Sequence, residues 1–482
     1  MIDAAPASSF RDPNGALLRA GGRVFRILNA SGVDEARAFL ASPVASQWVL
    51  SGRLVRTVIL DGEARSELLE GSYAADLFAT FNGSAIVEHE RIPFPSFPYE
   101  WPPEMLHAAA DLTLELAFDL LAENLGLKDA TPHNVLFRGP NPVFVDVASV
   151  ERRAPGDAVW LPYAQFVRTF LLPLAANRYL GMALDQLLFT RRDGVEPEEI
   201  YGWLGPLQRL RRPFLSLASL PVWLGRRHRP DDASLYSKKL LPDIERAQFI
   251  LRSLLKGLQR TVASLAPKSA SSSWTGYSEA GNNNYSAEHF VAKERFLAEC
   301  LARYSPKRVL DVGCNTGHFS FVAARRGASV VAIDSDPAVV SAVWRTANAE
   351  KLNVLPLVVN LARPTPAVGW RNREWPSFLD RARGHFDLVL MLAVIHHMLV
   401  TERIPLDEIV DLAAELTTGL LVIEFVSPED SMFRRLVRGR EELHRDLTPQ
   451  AFESSCLRRF EIVATQHFES DTRWLYVMRR LG

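Results

Sequence analysis

Short continuous apolar runs, spaced by amphipathic stretches, dominate the last third of the chain: RVLDVG (308–313), SVVAID (329–334), NVLPLVVN (353–360), FDLVLML (386–392) and GLLVIEFV (419–426). Uninterrupted apolar strands of this kind belong to a parallel sheet covered on both faces by helices, whereas half-exposed strands alternate. Two further runs, FEIVATQHF (460–468) and TRWLYVMRR (472–480), are separated only by Glu469, Ser470 and Asp471. So short a link makes a hairpin, which brings one antiparallel strand to the sheet edge. The pattern therefore predicts an α/β fold, a doubly wound sheet of seven strands whose last strand is antiparallel.

The N-terminal part is mixed α/β in its patterning. RVFRILN (23–29) and RLVRTVIL (53–60) read as strands, and MLHAAADLTLELAFDLLAENLG (105–126) has apolar residues at helical spacing with Gly126 as its stop. PFLSLASLPVWLG (213–225) is too short to span a bilayer and contains Pro221. Its basic flanks, Arg211, Arg212, Arg226, Arg227 and Arg229, keep an interfacial helix open as a minor reading beside ordinary core packing. Residues 266–286 are small and polar with no periodicity. They divide the chain into an accessory domain, 1–265, a linker or lead-in, 266–286, and a C-terminal domain, 287–482.

Composition narrows the function classes. At 482 residues, 48% apolar and 23% charged, the chain suits two or three globular domains and excludes extensive disorder. Lys and Arg number 55 against 56 Asp and Glu, so the positive excess that nucleic acid requires is missing. Cys300, Cys314 and Cys456 form neither a disulfide framework nor a zinc spacing, and the N-terminal MIDAAPASSFRDPNG has no basic-then-apolar leader. Both features fit a cytoplasmic protein.

The segment VLDVGCNTGHFS (309–320) closes a strand with an acid, turns at glycines and opens a helix. Gly313 and Gly317 would let the backbone turn and approach a ligand without a Cβ, and N–H groups at the helix start would meet polar ligand atoms. Asp334 ends the next strand, where an acid is placed to accept hydrogen bonds from a ribose diol. A glycine-rich turn alone could serve any dinucleotide.

DVGCNTG (311–317) and AIDSDP (332–337), together with the terminal hairpin, resemble the motifs of class I S-adenosylmethionine-dependent methyltransferases. Asn315 stands where the first motif usually has its central glycine. The resemblance is to bacterial members with a long N-terminal extension, including nodulation-type ones, and extends over IPFPSFPYEW (92–101), LVVNLARPTPAVGW (357–370), LAVIHHM (392–398) and VIEFVSPEDSMFRRL (422–436). It implies S-adenosyl-L-methionine as cofactor. Asp311, Gly313, Cys314, Asn315 and Gly317 would line its amino-acid end, Asp334 would hold the ribose, and Asn360, where Asp is more usual, would face the adenine amine. Tyr277, Tyr285 and Lys293, in the lead-in WTGYSEAGNNNYSAEHFVAKERF (274–296), would cover it.

For a small-molecule, sugar or lipid-like acceptor at O or N, the protein must align the acceptor and remove a proton. His396 and His397 follow the fourth strand and are the candidate bases, with Glu424 and Asp430 after the fifth as second choices. Either histidine could instead simply pack. No metal ligand set is evident in the spacing.

A second signal lies upstream. In LKDATPHNVLF (127–137) and PVFVDVAS (142–149), Asp129, Asn134 and Asp146 have the spacing of a kinase catalytic loop and its metal ligands. Only eight basic residues are lysine and none precedes Lys128, while Gly15, Gly21 and Gly22 form no phosphate loop. Arg26 is the nearest substitute for the missing lysine, and Arg is not equivalent there. The N-terminal domain is thus read as a degenerate kinase-like fold or a look-alike turn. A nucleotide-binding or phosphotransferase module, with the C-terminal domain as regulator or scaffold, is the alternative function.

Overall fold

The computed structural model describes residues 4–6, 15–70, 72–225, 240–268, 287–467 and 472–482. They fall into two compact units, Met1–Lys268 with Gly369–Glu374, and Ser269–Val368 with Trp375–Gly482.

The first unit contains an antiparallel sheet of β1 (Ala4–Pro6), β2 (Gly15–Ala20), β3 (Arg23–Leu28), β4 (Thr57–Ile59) and β5 (Ala85–His89), in the order β1-β2-β3-β5-β4. Leu18, Phe25, Ile27 and Ile86 form its buried face with Leu68 and Ala74. The strand expected over 53–60 shrinks to Thr57–Ile59, because Leu54 N–H bonds to Trp48 O and Val55 N–H to Phe144 O. The expected helix runs Pro103–Leu120, opened by proline at its first position. It does not stop at Gly126. A 3₁₀ turn, Leu121–Glu123, follows, and Asn124 reverses the chain in the left-handed region at φ 55°. Asn tolerates that conformation through its short polar side chain. Gly126 then lies inside β6 (Leu125–Leu127).

Beyond it, β7 (Val135–Arg138) and β8 (Asn141–Phe144) form a hairpin, and β9 (Val150–Arg152) pairs with β6. Residues 213–225 include a π-helical turn, Leu215–Ser219, and a helix, Leu220–Gly225, with Leu217, Ala218 and Val222 buried. No helix among the described residues is long and apolar enough to cross a membrane. Arg226, Arg227 and Arg229 lie outside the described residues.

In the second unit, β10 (Arg308–Val312), β11 (Ser329–Asp334), β12 (Val354–Val358), β13 (Phe386–Met391), β14 (Thr417–Val426), β15 (Phe460–His467) and β16 (Arg473–Arg480) form one sheet. Its order is β12-β11-β10-β13-β14-β16-β15. The central strands are parallel and almost wholly buried, which is why they read as unbroken apolar runs. β16 is antiparallel to both neighbours, from Leu420↔Arg479 to Val426↔Arg473 on one side and along β15 on the other. The antiparallel strand is therefore the last in sequence, but it sits one place in from the edge. The helix Ala287–Tyr304 contributes Phe296, Leu297 and Leu301 to the core that contains Val309, Val330 and Leu388. The fold is that of a class I methyltransferase, with a mixed α/β region preceding it.

Candidate active site

A cavity of about 360 Å³ opens at the carboxyl ends of β10, β11, β13 and β14, where loops of an open α/β sheet gather. Sheet order spreads its polar groups over both sides of β10. Asp334 and Asn360 follow β11 and β12, whereas His397 and Glu424 belong to the β13 and β14 side.

The turn after β10 is built for geometry first. Gly313 has φ 67°, and a Cβ there would come within 3.1 Å of Val394 Cγ2. Asn315 occupies the left-handed region at φ 48°, which explains why this residue can replace glycine there. Gly317, at φ 86°, does not line the cavity. A Cβ on it would meet Phe321 Cζ and Val343 Cγ2 at 2.9 Å, so this glycine serves the packing of the helix His318–Ala324 rather than ligand approach.

The N–H groups of the turn itself are largely used within the protein. Those of Gly313 and Cys314 both donate to Ile333 O, at 2.9 and 3.0 Å, and that of Gly317 to Cys314 O. Asn315 N–H donates to Asp334 Oδ2 at 3.0 Å. Those of Gly313, Cys314 and Asn315 thereby hold the turn against β11. Side-chain chemistry adds to this: Asn315 Oδ1 is buried with no hydrogen-bond partner among the described residues. A buried acceptor of that kind invites a ligand donor.

Asp334 accepts from Asp336 N–H with its other oxygen, also at 3.0 Å, and burial raises its pKa. Its carboxylate is thereby fixed in orientation on the cavity wall. Asp311 is buried and receives Ser320 Oγ–H at 2.5 Å; burial first, and nearby Asp334 as well, pushes its pKa up to about 7. Cys314 lines the cavity with its thiol pKa raised well above normal by burial and then by Asp334. Asn360 also lines it and accepts Ala362 N–H through Oδ1 at 2.9 Å. Tyr277 and Tyr285 lie outside the described residues.

Lys293 lines the cavity. From the helix Ala287–Tyr304 its Nζ reaches Glu424 Oε1 at 2.6 Å, with both side chains buried. Arg473 Nη1 lies 3.4 Å from the same oxygen. Its Nε and Nη2 grip Asp430 at 2.8 and 3.0 Å. Asp430 in turn caps the helix Ser431–Val437 through the N–H groups of Met432 and Phe433. It is a structural clamp and does not line the cavity.

The two histidines part company. His397 lines the cavity, while His396 is 3% exposed and turned away from it. Their rings are 4.2 Å apart. Burial, then His397 and Lys293, lower the pKa of His396 to about 3, and its Nδ1 has no partner among the described residues. Burial also lowers that of His397. Of the expected bases, His397 and Glu424 are brought together and His396 is left behind them. The pairing of Lys293 with Glu424, 131 residues apart, had no sequence signal.

In the first unit, Asn134 Nδ2 donates to Asp129 O at 3.4 Å, so this loop holds its own backbone. Asp146 Oδ1 is bound by Arg26 Nη1 at 2.6 Å. No group of three or more His, Cys, Asp or Glu among the described residues could hold a metal ion.

Residues 285–451 match the family model described as a methyltransferase domain, in agreement with the sheet order and the cavity at its carboxyl edge. The chain is also 30% identical over 492 aligned positions to nodulation protein NoeA of Rhizobium meliloti (strain 1021), covering all of this chain and 98% of that protein. It belongs to the NoeA family. Solved structures with likeness to it include the N-methyltransferase NodS of Bradyrhizobium japonicum WM9, with 13% identity, 41% of this chain and 98% of that one, and a TM-score of 0.31. Another is the bifunctional kinase-methyltransferase WbdD, with 19% identity, 41% and 40% coverage, and a TM-score of 0.31.

Proposed function

We propose that the second unit is an S-adenosylmethionine-dependent methyltransferase that acts on a hydroxyl or amine of a small-molecule, sugar or lipid-like acceptor. The observation that carries this is the single cavity joining Asp334 and Asn360 on one side of β10 to His397 and Glu424 on the other. The cofactor supplies, when bound, a methyl group already activated on a sulfonium. Asp334 would hold its ribose, and Asn315 Oδ1 offers a buried acceptor to one of its N–H or O–H groups. Asp311, beside Ser320, would face its polar amino-acid end.

The remaining chemistry belongs to the chain. His397 stays neutral at pH 7 because burial lowers its pKa, and a neutral imidazole on the cavity wall can take the acceptor's proton. Glu424, fixed by Lys293 and Arg473, offers an immobile acceptor that orients an O–H or N–H. The aromatic rings of Phe290 and Phe319 supply an apolar wall. The alternative of phosphotransfer in the first unit is not favoured, since Arg26 already engages Asp146.

Titration calorimetry of the full chain with S-adenosylhomocysteine tests the reading. We expect saturable binding in the micromolar range that falls by about 100-fold in Asp334→Ala, the scale of losing charged hydrogen bonds. Absence of binding, or unchanged binding in that variant, overturns the cofactor assignment.

A further inference from the structure

The helix Ile395–Val400 and the turn after it face two ways. Met398, Thr401 and Glu402 look into the cavity described above. Leu399, Val400 and Arg403 line a second hollow of about 320 Å³. Its opposite wall is Leu436 and Val437 of the helix Ser431–Val437, followed by Arg440 and Leu443. This wall is folded sharply: Arg438 and Gly439 have φ 29° and 79°, and Phe433 meets His444 edge-on with ring centroids 5.4 Å apart. That contact seats the 3₁₀ turn Glu441–His444 against the helix.

Two properties of this groove bear on what it can hold. First, it is apolar and open at once, and Leu443 on its rim is 73% exposed. Second, two of its lining residues are the arginines Arg403 and Arg440, with Arg434, Arg435 and Arg438 close to them in sequence. Arg403, Arg434, Arg435, Arg438 and Arg440 are all exposed, and none forms an ion pair with a described residue. Some exposed arginines of the same unit pair with acids, as in Arg308–Asp387 and Arg325–Glu350, while others, such as Arg326 and Arg480, bond to backbone carbonyls. The acids nearest in sequence are engaged locally. Glu441 accepts Gly439 N–H and Glu442 pairs with Arg445, and neither lines the groove.

An apolar floor gives no reason to hold a simple anion, and an arginine rim gives none to hold a neutral chain. Together they suit a molecule with both parts. Guanidinium forks match the oxygens of a phosphate-type group, and the leucine and valine floor removes an apolar chain from water. A hollow of about 320 Å³ walled by two segments has room for one such chain and is not a flat face for a bilayer. We propose that this groove is a binding site for a single soluble amphipathic anion, an apolar chain ending in a phosphate-type headgroup held by Arg403 and Arg440. The site is separate from the methyl-transfer cavity and does not rest on that assignment.

Octyl phosphate, kept below its micelle concentration, is the probe, titrated calorimetrically into the full chain. Saturable one-to-one binding is expected, at least about tenfold tighter than inorganic phosphate or octanol. The double variant Arg403→Gln/Arg440→Gln should weaken it by about tenfold or more with the far-ultraviolet circular dichroism and thermal midpoint unchanged, since both side chains are exposed. Equal affinity for inorganic phosphate, indifference to the double variant, or no saturable binding would each overturn the proposal. Binding to anionic phosphatidylglycerol vesicles without binding of octyl phosphate would overturn it in favour of a membrane surface.

Discussion

Lys293 and Glu424 meet at 2.6 Å with side chains only 5% and 0% exposed, one from the helix that leads into the methyltransferase unit and one from the end of β14. A buried pair of this kind contributes little net stability but makes each partner dependent on the other. Lys293→Met should destabilise the unit by about 3 kcal/mol, because a buried carboxylate then loses its ammonium partner at 2.6 Å. Lys293→Met/Glu424→Leu should recover more than half of that loss, since Arg473 keeps its two bonds to Asp430. Urea unfolding of the single and double variants checks this, and additive losses would contradict it.

Asn315 has two duties that substitution can separate. Asn315→Gly keeps the left-handed turn without strain, so stability should hold while S-adenosylhomocysteine affinity falls by about tenfold through loss of the buried Oδ1 acceptor. Asn315→Ala should in addition cost about 1–2 kcal/mol of stability, because φ 48° is unfavourable for alanine. Equal affinity in the glycine variant would remove Asn315 from the ligand contacts.

Asp311 gives the ligand-free protein a pH signature. Its folded pKa of about 7 lies above the ordinary 3.8, so the folded state retains a proton that the unfolded chain releases. Stability should therefore fall as pH rises from about 4 to about 7 and stay level above that, with a slope of at most about 1.4 kcal/mol per pH unit. Asp311→Asn cannot ionise and should flatten that window. Denaturant midpoints at pH 5, 6, 7 and 8 provide the test, and an identical profile in the variant would assign the dependence elsewhere.

Arg26 and Asp146 govern the expectation for the first unit. With Asp146 Oδ1 bonded to a guanidinium at 2.6 Å, Mg·ATP should leave the thermal midpoint of the full chain unchanged. A rise in midpoint that disappears in Asp146→Asn would instead restore nucleotide binding to this unit.

Much of the second unit was readable beforehand because its central strands are buried on both faces, which leaves no alternation to confuse the pattern. The runs 308–313 and 329–334 became strands within a residue of their expected ends. The site was legible where a local rule applied: an acid closing a strand, as at Asp334, or a positive φ needing glycine or asparagine, as at Gly313 and Asn315. It was not legible where position depends on distant packing. Whether His396 or His397 meets the cavity follows from how a six-residue helix is rotated, and nothing in the doublet itself decides that. One N-terminal expectation, the strand over 53–60, was cut short for a related reason. Residues 53–55 carry strand-forming side chains, yet their N–H groups were claimed by Trp48 and Phe144.

The place of β16 between β14 and β15 ties the end of the chain to the cavity. Among the described residues β15 pairs with no strand but β16, so the hairpin joins the sheet through β14 alone. Arg473 travels on that hairpin. Its guanidinium joins Lys293 at Glu424 Oε1 and also binds Asp430. The charge balance at Glu424, on the cavity wall, thus depends on the last strand of the chain as well as on the helix Ala287–Tyr304, so both ends of the second unit converge on one buried carboxylate.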